Sequence, residues 1–309
     1  MEMRKVYAET IKQIALQDER VFVLEADLSS AIATSGLKEV LGERYVNLGI
    51  MEANMMGVSA GISVSGGVCF VHTFGQFATR RAFDQIFVSL AYAQQNVVIV
   101  GSDSGVTAEH NGGTHMTFED TGLMRLVPHA KVYDVSDEVQ LKYILEKAYR
   151  EGGVNYIRMM RKEAVKLYSE GARFDSGATL VKKGKDLTLL ANGICVSESL
   201  AAAEQLEKEG VSIEVIDCYS VKPLDAETIL TSARKTGRVM TCENHNVIGG
   251  LGSAVCELLS EKQPTPVMRL GVHEHFGQVG KLAYLKDYYG ISADKIATSI
   301  RAFINPEGQ

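Results

Sequence analysis

Short runs of consecutive apolar residues recur along the chain, and stretches with helical spacing separate most of them. VFVLEAD begins at Val21, and further runs begin at Tyr45, Val68, Val97, Lys131 and Asn155. A second set reads DLTLLANG from Asp186, VSIEVIDC from Val211, RVMTCEN from Arg238 and PVMRLG from Pro266. A strand that is apolar at every position is buried on both faces, which belongs to a parallel sheet covered by helices. The pattern therefore predicts an α/β chain with two parallel-sheet domains, at 1–165 and 186–309. Residues 166–185, KLYSEGARFDSGATLVKKGK, lack strong periodicity and read as a linker. Helices are expected at Arg4–Leu16, at Asp137–Tyr149 with Ser136 as N-cap, at Val196–Glu209, at Asp225–Lys235, after Gly252 and at Ala293–Phe303.

With 309 residues, 46% of them hydrophobic, the chain has apolar material for two cores. The net charge of −6 is spread over mixed acids and bases without a basic patch, which excludes a nucleic-acid partner. Five scattered cysteines without a CxxC pair indicate neither a disulfide framework nor a zinc site, and suit buried thiols in a reducing cytoplasm. No apolar run approaches the roughly 20 residues that a membrane helix needs. The amphipathic start MEMRKVYAETIKQIALQ lacks a signal-peptide core.

Two stretches carry chemistry. From Asn47 to Gln85 a strand ends at the lone acid Glu52, small residues follow at helical spacing, and a second strand leads into HTFGQF. Glu52 thus lies just after a strand's C-terminal end, where open parallel sheets hold ligands. An acid in a helix's first turn is also stabilising in its own right. The second stretch is the loop Ser102–Asp120, SDSGVTAEHNGGTHMTFED, whose glycines, polar groups and two histidines exceed what a connector needs. GGLG at Gly249–Gly252 opens a helix whose amides suit an anion. His273 and His275 in GVHEHFGQ are too few for a metal centre and read as a structural loop.

The layout GIMEANMMG followed by HTFGQF resembles the pyrimidine-binding domain of thiamine-diphosphate enzymes, the transketolase family most closely. The second half resembles that family's C-terminal domain, so the resemblance covers nearly the whole chain. It implies that Glu52 bonds a ring nitrogen of the cofactor's aminopyrimidine and favours its imino tautomer, while Phe74 and Phe77 pack on the ring. It places Asp27, Ile50 and Arg80 close to the cofactor, with Arg81 beside them. His115 matches a histidine that contacts substrate oxygens, and Asn111 stands where the family has an aspartate for the donor's 2-hydroxyl. Ser102 stands where another histidine is usual. Arg4 and Arg161 match phosphate-binding positions, with Arg158 the alternative to Arg161, since the register across Met159-Met160 is open. Seen alone, each arginine is equally an ion-pair partner.

No GDG motif occurs in the sequence. The resemblance therefore implies the C-terminal subunit of a split transketolase acting on sugar phosphates. A separate N-terminal chain would carry the diphosphate-binding domain and the magnesium ligands, giving a dimer of heterodimers. The alternatives are the beta subunit of a 2-oxo-acid dehydrogenase, a deoxyxylulose-phosphate synthase, or a non-catalytic assembly subunit.

Overall fold

The apolar runs of the first half become parallel strands in a computed structural model, which describes residues 1–305. They are β1 (Val21–Glu25), β2 (Tyr45–Asn47), β3 (Val68–Phe74), β4 (Val97–Ser102), β5 (Lys131–Asp134) and β6 (Val154–Arg158). The second half supplies β7 (Thr179–Lys182), β8 (Leu187–Ala191), β9 (Ile213–Asp217), β10 (Ser220–Lys222), β11 (Val239–Asn246) and β12 (Val267–Val272). The first sheet runs in the order β10-β5-β6-β4-β3-β1-β2 and the second in the order β12-β11-β8-β9-β7. All pairings are parallel except β10 with β5 and β7 with β9. The mostly parallel α/β expectation holds for both halves.

Helices cover both faces of the first sheet. Helix Met3–Gln17 buries Met3, Tyr7, Ile11 and Ile14 at helical spacing and packs on helix Glu138–Glu151, which buries Leu141, Ile144 and Leu145. On the opposite face helix Glu52–Val64 buries Met55 and Met56, and helix Gln85–Tyr92 buries Ile86 and Leu90. Successive strands leave β1 toward β2 on one side and toward β3 on the other. That reversal opens a crevice at the strands' C-terminal ends.

Three local features depart from the sequence reading. Within 166–185, residues 179–182 form the short edge strand β7 rather than linker. β10 crosses into the first sheet, where it pairs with β5. Asp137, not Ser136, caps helix Glu138–Glu151, its Oδ1 accepting from the Gln140 amide at 2.9 Å. The Ser136 hydroxyl instead donates to Asp217 Oδ2 of the second half at 3.0 Å.

That bond is one of many across the seam between the halves. Asp217 Oδ2 also accepts from Gln140 Nε2 at 2.9 Å and from the Tyr168 hydroxyl at 2.6 Å. Arg158, wholly buried on β6, donates to Asp120 and Asp134 at 2.8 Å each and to the carbonyl of Asn244 on β11 at 2.6 Å. Among the described residues no helix is long and apolar enough to cross a membrane, and the five cysteines are free.

His245 also lies in this seam. Its Nδ1–H donates to the Asn246 carbonyl at 2.7 Å, and its Nε2 accepts from the Gly122 amide at 3.3 Å. That pattern requires a neutral ring, and burial pushes its pKa from 6.5 down to about 4. Between those values the unfolded chain binds a proton that the folded chain refuses, so stability falls as pH falls from 6.5 toward 4. The loss attributable to this ring reaches about 1.4 kcal/mol for each pH unit. Denaturant titrations from pH 7 down to 4.5 should show wild type losing more stability than His245→Gln.

Candidate active site

Glu52 is the first residue of its helix, and its carboxylate, 1% exposed, faces the positive end of the helix dipole. Arg81 Nη1 donates to both carboxylate oxygens at 2.9 Å. The Arg81 guanidinium also lies 3.9 Å over the Phe77 ring centroid. Phe77 and Phe74 tilt against each other with centroids 6.2 Å apart, and His115 meets both edge-on at 5.3 and 5.8 Å. On the far side of Phe74, the Arg161 guanidinium lies 5.0 Å from the ring centroid. Arg161 Nε in turn donates to Asp103 Oδ1 at 2.6 Å. A chain of contacts thus joins Glu52, through Arg81, to Phe77, Phe74 and His115, and Phe74, through Arg161 and Asp103, to Asn111, whose Nδ2 lies 3.5 Å from Asp103 Oδ2.

Arg4 lines a cavity of about 270 Å³ together with Asp103, Asn111 and Arg161. His110, read from sequence as one of two histidines in an unusual loop, lines the same cavity. The remaining expected residues sit differently. Asp27 follows β1 with a positive φ of 61°, and its amide donates to Asn47 Oδ1 at 3.0 Å. Ile50 is 70% exposed. Arg80 points away from Glu52 and pairs with Glu119 at 2.8 Å, so Arg81 is the arginine at the acid. Arg158 is committed to the seam, which leaves Arg161 as the arginine at the cavity.

The second half positions the loop that carries His115 and Asn111. Asn244 Oδ1 accepts from the Val106 amide at 3.0 Å, and its Nδ2 donates to the Ser104 carbonyl at 2.9 Å. The Asn246 amide donates to Phe118 O at 2.8 Å, and Leu282 N to Glu109 Oε1 at 3.1 Å. Gly113 packs against Gly277 so closely that a Cβ there would sit 2.2 Å from the Gly277 carbonyl oxygen. The GVHEHFGQ stretch therefore clamps the loop, and among the described residues no group of three or more His, Cys, Asp and Glu is arranged to hold a metal ion. The GGLG turn is likewise occupied from within, because Glu243 accepts from the amides of Leu251 at 2.7 Å and Gly252 at 2.8 Å.

Sequence reading missed Asp103 and His72. Asp103 is buried with a positive φ of 56°, and burial raises its pKa against the pull of Arg161. Its position directly after an apolar strand was the available signal. His72 is wholly buried between Glu25, 2.8 Å from Nδ1, and Ser102, 2.9 Å from Nε2. A lone histidine inside an apolar run gave no hint of those partners.

The residues present suit an aminopyrimidine. They offer a buried carboxyl for a ring nitrogen, two aromatic rings for its face, and the amide of Gln76, buried with both Nε2 and Oε1 unpartnered.

Family models for the transketolase pyrimidine-binding domain and the transketolase C-terminal domain match residues 1–165 and 176–296. A 6-deoxy-6-sulfo-D-fructose transketolase subunit from Clostridium sp. strain MSTE9 is 44% identical over 95% of this chain and 92% of its own length. A putative transketolase C-terminal section from Methanocaldococcus jannaschii is 35% identical over 96% of this chain and 95% of its own. Human transketolase is 34% identical over 97% of this chain, which spans 49% of that longer protein. A solved structure described as a split-gene transketolase, inactive β4 tetramer, superposes with a TM-score of 0.90 at 38% identity, covering 99% of this chain and 98% of its own. The chain belongs to the transketolase family, and its two domains are the pyrimidine-binding and C-terminal domains of that family.

Proposed function

We propose that this chain is the pyrimidine-holding half of a two-chain, thiamine-diphosphate-dependent transketolase that moves a two-carbon ketol unit from a ketose to an aldose. The observation that carries the reading is the setting of Glu52. A buried carboxyl at a helix start opens beside two aromatic rings, on an edge where Ile50 and Met51 stand exposed. Val88 and Tyr92, on the helix packed beside it, extend that apolar rim. Such a half-walled site calls for a second surface, and we assign that surface, with the diphosphate and magnesium contacts, to an N-terminal transketolase subunit. The chain's span of nearly the whole of two relatives described as a subunit and a section supports this, as does the word "inactive" for the similar tetramer. The assembly would be a dimer of heterodimers, and its free thiols suit a reducing cytoplasm.

When bound, the cofactor supplies the carbanion that ketol transfer requires. The buried Glu52 carboxylate would hydrogen-bond a pyrimidine ring nitrogen and so favour the imino tautomer, where little water competes. Phe74 and Phe77 would hold the ring's plane. His115 and Asn111 would orient substrate hydroxyls, since each donates and accepts hydrogen bonds. Arg161 would grip the anionic far end of the sugar with the planar fork of its terminal nitrogens, with Arg4 in support. Arg161→Ala is expected to raise KM by about 10- to 100-fold for an anion-ended donor, and far less for an uncharged one. Steady-state kinetics of the assembled enzyme with both donors measures this, and equal rises would remove Arg161 from the anion site.

A further inference from the structure

The loop that carries Asn111 and His115 turns on a strained acid. Glu109 has φ 44° and ψ −103°, a backbone conformation that glycine adopts freely and that other residues rarely take. Glycines stand at 105, 112 and 113 of the same loop, but 109 is a glutamate. Such a conformation persists only where the surroundings over-determine it, and it clusters at functional sites. Here the surroundings act through the buried carboxylate. Its Oε2 pairs with Lys162, just beyond β6 in the first domain. Its Oε1 accepts at 3.1 Å from the amide of Leu282, the first residue of the second-domain helix Leu282–Tyr288. One side chain thus ties the loop to both domains. It lies midway between the Asn244 bonds at Ser104 and Val106 and the Gly277 contact at Gly113.

The turn sets the course of the chain through the two residues assigned to substrate hydroxyls. The Glu109 carbonyl accepts from the Gly112 amide at 3.3 Å and closes a turn around His110 and Asn111. The Gly112 carbonyl then accepts from the amides of His115 at 3.0 Å and Met116 at 3.1 Å. A change of φ or ψ at residue 109 therefore redirects Asn111 and reaches His115 through two hydrogen-bonded turns. The loop's other end is built alike, since Asp103, with φ 56°, holds Arg161. We infer that Glu109 is a positioning residue for donor recognition, its carboxylate holding a strained turn so that Asn111 and His115 face the substrate together. What that pair binds rests on the ketol-transfer reading; how it is held rests on the loop's geometry.

The test compares Glu109→Gly, Glu109→Ala and Glu109→Gln in the chain assembled with its diphosphate-binding subunit. Glycine loses the tie and relaxes the backbone, whereas alanine loses the tie and keeps the strain. Glu109→Gly is expected to melt about 2–4 °C above Glu109→Ala. Both should nevertheless lower kcat/KM for the ketose donor by about 10- to 100-fold, the scale of a misplaced binding group. Glu109→Gln keeps the length and one acceptor oxygen and should recover most of that loss. Thiamine diphosphate affinity, read by calorimetry, should stay within about twofold of wild type in all three, because the Glu52 end of the site is untouched. A glycine variant with wild-type kcat/KM overturns the inference, as does one that melts below the alanine variant. Parallel losses of cofactor affinity and donor kcat/KM would reduce Glu109 to general structural support and overturn it too. If the wild-type assembly turns over no ketose, ketol transfer is the reading that fails, and the turn is judged on the full chain by NMR. The His115 ring meets Phe74 and Phe77 edge-on at 5.8 and 5.3 Å, so ring currents displace its imidazole signals. Those signals should move in Glu109→Gly and stay in place in Glu109→Gln, and an unmoved His115 signal in the glycine variant refutes the positioning role.

Discussion

Replacing Glu52 by glutamine in the assembled two-chain enzyme is expected to lower kcat by about 10²- to 10⁴-fold, the range attributed to a positioned general acid–base group. The amide keeps the shape of the side chain and its place at the helix start, but it carries no charge to stabilise a protonated ring nitrogen. Burial at 1% exposure denies the site a water that might stand in for the lost carboxyl. Arg81 loses its anionic partner but keeps its place over the Phe77 ring, with a side chain already 44% exposed to solvent. The fold and the assembly with the partner subunit should therefore survive, as sedimentation and near-UV dichroism would show. Activity within threefold of wild type in an intact complex would instead favour a subunit that only completes an assembly.

The second large effect is on stability. Arg158→Met should destabilise the chain by about 3–5 kcal/mol, because a buried carboxylate left without its cation is costly. Arg158 satisfies Asp120 and Asp134 at 2.8 Å each, the Thr117 carbonyl at 3.3 Å and the Asn244 carbonyl at 2.6 Å. Methionine fills the volume and meets none of these oxygens. Denaturant unfolding at pH 7.5 measures the loss. Arg161→Met, on the edge of the cavity with its side chain 24% exposed, should cost far less stability. The two variants therefore separate by phenotype, stability for one and substrate KM for the other. A small stability loss for Arg158→Met would mean that the seam does not depend on this guanidinium.

The parallel strands were legible because burial on both faces leaves an unbroken apolar run, as in NVVIVG. Helix Ala226–Thr236 was legible as Asp225–Lys235 because an amphipathic face is a local property, while Asp225 proves to be its cap through the Thr228 amide. β7 and β10 were not, being short edge strands with three or four residues and no periodicity of their own. Ser136 and Asp137 are adjacent and both can cap, and what separated them was Asp217, distant in sequence, taking the serine hydroxyl. The same logic governs the site. The motif around Glu52 drew attention to the acid and the ring pair, but the geometry that put Arg81 on Glu52 and Arg80 on Glu119 depends on how the short turn after Phe77 winds. Likewise the clamp of GVHEHFGQ on the His115 loop joins residues far apart in the chain, and only the docking of the two domains reveals it.

In the proposed assembly this chain holds one half of a cofactor site. The direct measurement is ketol transfer with thiamine diphosphate and magnesium by the purified chain, alone and after titration with a diphosphate-binding transketolase subunit. No turnover above background is expected from the chain alone, and activity should saturate at a one-to-one ratio of the two chains. Magnesium-dependent turnover by the chain alone would contradict it.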